Sequence, residues 1–127
     1  MAGTLVTDTL TDGSGNSTST TSVVRGSAKA WVNFNGTTSP GTIRAQYNVS
    51  SVTRNGTGDY TVNFTTAISD ANYAAVFGCQ NTAEDSANEA IAIRSDVNPT
   101  TTALRIMATR PAWAYADPAI VNVAIFR

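Results

Sequence analysis

At 127 residues, 42% of them apolar, the chain is long enough for one domain that buries roughly two-thirds of the surface its unfolded form exposes. The net charge is −1 and the 8 Lys and Arg residues are scattered without a run, which removes the electrostatic case for nucleic-acid binding. With no histidine and one cysteine, the composition excludes an imidazole base, a Ser/His/Asp or Cys/His arrangement and an intrachain disulfide, and argues against a zinc site.

Residues 1–26 read as a polar N-terminal arm. The run TDTLTDGSGNSTSTTS has almost no apolar residue after Leu10, and such a segment does not offset its own ordering entropy. Leu5, Val6 and Leu10 are the apolar exception. Two readings fit them: a frayed terminus, or a segment that binds a capsid or a neighbouring subunit by adding a strand to an open sheet edge. The N-terminus lacks the basic segment and apolar core of a secretory signal, and no stretch reaches the length of a membrane-spanning helix, so no membrane partner is expected.

Residues 27–127 read as a β-sandwich domain. Ala28, Ala30, Val32 and Phe34 alternate with Lys29, Trp31 and Asn33, the period of a half-buried strand. Ile43, Ala45, Tyr47 and Val49 repeat the pattern against Arg44, Gln46 and Asn48. The stretch TRNGTGD follows, where Asn55-Gly56 and then Gly58 offer the positive-φ positions of a hairpin turn, and Tyr60, Val62 and Phe64 resume the alternation. Further strands are expected over Tyr73–Cys79, Ala87–Ser95, Thr101–Thr109 and Pro118–Phe126, with one helical turn possible in Thr82–Ala90. Cys79 lies in an apolar run and reads as a small buried hydrophobe. These short, evenly spaced strands define the fold class as all-β: an antiparallel β-sandwich of about seven or eight strands with an extended N-terminal arm.

Three places bear on function. Glu84, Asp85 and Glu89 cluster, but their spacing matches no calcium loop, so they read as a solvated acidic segment and no metal or cofactor is expected. The last strand, AIVNVAIF, is apolar on nearly both faces, which fits a central strand covered on its outer side by another subunit. In the connection Thr109–Asp117, Trp113 and Tyr115 stand beside Arg110 between two prolines. That loop suits stacking on a sugar, gripping a protein partner, or plugging an end of the sandwich. Trp31 is out of phase with the buried residues around it and is a candidate for a subunit interface or a second core position. A carboxylate-pair glycosidase needs a long groove that so short a chain has little room for, and no enzymatic activity is expected.

From Lys29 to Tyr73 the run KAWVNFNGT…TIRAQYNVSSVTRNGTGDYTVNFTTAISDANYA resembles a module of tailed-bacteriophage virion proteins, especially those of cyanobacterial and marine hosts. That module occurs in short virion proteins and at the ends of tail fibres. The resemblance implies a protein of the particle surface, assembled in the host cytoplasm, with a homotrimer as the expected state. A short, self-contained chain without heptads or shaft repeats fits a capsid decoration or cement protein bound to the major capsid protein or another virion protein. The alternative is the receptor-binding tip of a tail fibre that recognises a host glycan through the Arg110–Asp117 loop.

Overall fold

The computed structural model describes residues 3–80, 89–111 and 114–127. The arm carries a small hairpin, β1 (Thr9–Thr11) and β2 (Ser17–Ser19), followed by a short helix, α1 (Thr20–Gly26). The Asp12 carboxylate closes the hairpin by accepting from the backbone of Ser14 and Asn16 at 2.8 and 3.0 Å, the local bonding that favours Asp in turns. Ser19 caps α1 by accepting from the Ser22 amide. Neither strand nor the helix buries a residue, so capping and turn chemistry shape this segment without packing.

Among the described residues eight strands form the sandwich: β3 (Ala28–Asn35), β4 (Thr42–Tyr47), β5 (Val49–Gly56), β6 (Asp59–Phe64), β7 (Ala74–Cys79), β8 (Ala90–Ile93), β9 (Ala103–Thr109) and β10 (Val121–Phe126). They pair antiparallel in two four-stranded sheets, ordered β4-β3-β10-β7 and β5-β6-β9-β8. The all-β reading therefore holds. Between the sheets lie the residues that alternation assigned to the interior: Ala30, Val32 and Phe34 from β3, Tyr60, Val62 and Phe64 from β6, Leu104, Ile106 and Ala108 from β9, and Val121, Val123 and Ile125 from β10. Phe34 meets Tyr60 edge-on with ring centroids 5.3 Å apart, joining the two sheets at the centre.

Three features depart from the sequence reading. The arm expected to be extended carries the β1–β2 hairpin and α1, held by turn and cap bonds that a polar sequence supplies locally. The second alternating run, Ile43 to Val49, is not one strand. Asn48 sits at φ 54°, in the left-handed region that Asn tolerates, and the chain there passes from the first sheet to the second. Asn48 fixes this corner by donating to the Lys29 and Thr66 carbonyls at 3.0 and 3.1 Å and accepting from the Thr66 amide at 2.7 Å. The hairpin turn is also displaced. Asn55 is the extra residue of an irregular register and Gly56 still pairs, so the turn proper is Thr57-Gly58. Of Asn55, Gly56 and Gly58, Gly58 alone has positive φ, at 61°, and a Cβ there would stand 2.4 Å from the Ala108 carbonyl oxygen.

Candidate functional site

The two outward sheet faces have opposite chemistry. On the first sheet, register places Tyr47, Trp31, Ala124 and Val76 in one row across all four strands. Trp31 is 40% exposed and Tyr47 and Val76 57% each, so the row is an apolar band open to solvent. The next outward row is Ala45, Asn33, Asn122 and Gly78, where the Asn33 amide donates to Asn122 Oδ1 at 2.6 Å. Trp31, Val76, Ala124 and the Asn33–Asn122 pair line a shallow depression of about 360 Å³. Arg44, the extra residue of a bulge opposite β3, donates to the Ala119 carbonyl at 2.7 Å. The expected apolar outer side of the final strand is thus part of a broader feature. Its Ala124 lies between Trp31 and Val76.

The second sheet turns a hydrogen-bonded polar face outward. Asn63 donates to Ser51 and Thr53 at 3.0 and 3.2 Å, and Asn55 donates to Thr61 at 2.9 Å. At the end of this face Asp59, 7% exposed, accepts from Arg105 through both oxygens at 2.9 and 2.7 Å and from Arg94 at 2.8 Å. The hydrogen bond from Arg105 outweighs desolvation and, with Asn55 and the charge of Arg94, holds the Asp59 carboxyl below the ordinary carboxylate value.

A second ionic cluster closes the sandwich at the same end. Asp117 pairs with Arg54, accepts from the Gly58 amide at 2.8 Å and from Tyr60 Oη at 2.6 Å. Desolvation pushes Asp117 up, but the bonds from Arg54, Gly58 and Tyr60 together outweigh it and lower its pKa. Tyr60 moves the opposite way, raised by burial and by the Asp117 carboxylate. These acids are satisfied partners of arginines and hydroxyls, not acids poised for proton transfer. Among the described residues no group of three or more metal-ligating side chains converges, and no helix is long and apolar enough to cross a membrane.

Trp31 and the Arg110–Tyr115 loop stand on different sheets, and the loop is closed on itself by the Arg110 amide donating to the Ala114 carbonyl at 2.8 Å. Trp31 stands on the apolar face of the first sheet. Tyr115 stands by the second, its ring 5.7 Å from the Arg94 guanidinium, which also donates to Asp96 at 2.7 Å. Arg110 pairs with Glu89 at 3.2 Å. Trp113 lies outside the described residues, as do Glu84, Asp85 and most of the helical turn expected over Thr82–Ala90. Cys79 is half-buried, and burial raises its thiol pKa. In the arm, Leu5, Val6 and Leu10 are 81%, 89% and 41% exposed. Tyr47 and Val76 join the site unannounced by sequence, since only strand register brings them beside Trp31.

No family model matches the chain, and neither a curated protein nor a solved structure is significantly similar to it.

Proposed function

We propose that the chain is a structural protein of a tailed-phage particle: a homotrimeric decoration protein that binds and stabilises the capsid surface. One observation carries the reading. A small sandwich with a satisfied polar face on one side spends its other face on an open row of Tyr47, Trp31, Ala124 and Val76, and exposed apolar surface arranged this way marks protein contact. The phage-module resemblance over Lys29–Tyr73 supplies the setting. The apolar face and the N-terminal arm supply the contacts that hold copies to one another and to the shell, and the bound layer resists the outward push of the packaged genome.

The test is the copy number in purified particles, read by quantitative mass spectrometry against the major capsid protein. A decoration protein is present on the scale of the capsid protein itself, and absence from particles refutes the reading. A fibre tip is present at a small fraction of that level. Exposed Tyr115, stacked with Arg94 beside Asp96, favours this second reading specifically, because an aromatic face with neighbouring polar groups suits a sugar. Under it, a glycan array retains signal with the wild-type chain and loses it with Tyr115→Ala.

A further inference from the structure

The sandwich has four sheet edges, and three are blunted. The β4 edge is interrupted by the Arg44 bulge, β5 has two register shifts along its length, and β8 spans only four residues. Bulges and shortness are the devices that keep strangers from pairing with an edge. β7 has none of them. Its six residues, AAVFGC, hold an unbroken register with β10, carry no charge and no proline, and among the described residues pair with a strand on one side only. Its inward residues Ala75 and Phe77 are only partly buried against the core, so among the described residues the backbone edge is unpaired and the seam behind it is incompletely covered, closing toward β8 only at the end where the Cys79 thiol donates to the Glu89 carbonyl at 3.6 Å.

The same chain displays a segment with matching properties. Gly3–Thr7 is uncharged, has no regular structure, and holds Leu5 and Val6 almost wholly in solvent. In an extended strand, neighbouring side chains point to opposite faces. Added beside β7, this segment turns one of the two residues toward Phe77 in the seam and the other outward, continuing the row that ends at Val76. The arm leaves the sandwich at Ala28, level with Ala74 at the start of β7 through their shared partner Phe126.

We propose that the free edge of β7 is a strand-acceptor site, and that its occupant is the Gly3–Thr7 segment of a second copy of this chain. Donor and acceptor are different patches, so the contact is heterologous, and repetition around a symmetry axis closes a ring. The inference rests on the reading above only in requiring that copies associate, and it says nothing of the shell they coat.

The experiment measures the solution mass of the full chain by sedimentation, alone and in mixtures. Val76→Lys blocks the acceptor edge, and Leu5→Asp with Val6→Asp blocks the donor. All three positions are exposed, so circular dichroism and the unfolding midpoint are expected to match wild type. Wild type is expected to assemble and each variant to run as a monomer. Mixed, the two variants are expected to form a one-to-one dimer, because each retains the half that the other lacks. No dimer in the mixture means a self-complementary contact and overturns the proposal, as does a wild-type assembly that survives the charged arm. A wild-type monomer overturns both the proposal and the trimer, whereas absence from particles removes only the capsid reading.

Discussion

The two outward sheet faces are built on equal terms, four antiparallel strands each over one shared core, yet they solve the problem of the outer surface oppositely. On the β5-β6-β9-β8 face each long polar side chain finds a neighbour: Asn63 with Ser51 and Thr53, Asn55 with Thr61, Asp59 with Arg94 and Arg105. That face is complete in water. On the β4-β3-β10-β7 face the corresponding positions hold Tyr47, Trp31, Ala124 and Val76, whose apolar surface gains nothing from water and is left open. The difference teaches that the fold's stability comes from what the faces share, and its specificity for partners from where they differ.

The largest effect is expected at the β5–β6 turn, where Asp117 closes the end of the sandwich. Gly58→Ala forces a Cβ into the Ala108 and Ala116 backbone at a positive φ and disturbs the amide that serves Asp117. A loss of about 3 kcal/mol is expected, read by urea unfolding, and both faces suffer alike.

On the polar face alone, Asp59→Asn leaves Arg105 without its carboxylate and Arg94 with Asp96 alone, and is expected to cost about 2 kcal/mol, less than for a fully buried pair because the arginines retain some solvent. Acid has the same target. Asp59 and Asp117 both have native pKa values below the unfolded value of 3.8, so the native state holds their protons more weakly than the unfolded chain. Their contribution is complete above that value and declines as pH falls below about 4 toward the lowered native values. Unfolding midpoints measured from pH 6 down to 2 should show this decline, and Asp59→Asn should flatten it.

The smallest effects on stability separate the faces most clearly. Trp31→Arg and Asn63→Ala each change unfolding free energy by only about 0.5 to 1 kcal/mol, since neither residue is in the core. Association distinguishes them. Trp31→Arg is expected to weaken assembly in sedimentation, and Asn63→Ala to leave it unchanged.

How much of this was legible in the sequence follows from the range of the interactions. β3, β6, β9 and β10 announce themselves because burial on one side imposes a period of two that any short window contains. The break at Asn48 is hidden, because a polar residue in an alternating run looks the same whether it faces water or turns the chain from one sheet to the other. The hairpin was legible in Gly58 but not in its exact residues, since Asn55-Gly56 carries equally good turn chemistry and only the pairing of Gly56 with Asp59 displaces the turn. Asp59 beside that turn reads as an ordinary turn former, and its two arginines come from β9 and from the end of β8, 46 and 35 residues away. The apolar row is partly legible: Trp31 stands out of phase within its own strand, but that Tyr47 and Val76 flank the same level is a fact of register.

The most direct test of the claim that one face is for contact and the other for water is hydroxyl-radical footprinting of the full chain, compared between dilute and assembled samples. Protection on assembly is expected at Trp31, Tyr47 and Val76, with Met107 on the opposite sheet oxidised equally in both. Unchanged oxidation of Trp31 and Tyr47 in the assembled sample, or protection confined to the Met107 side, would contradict it.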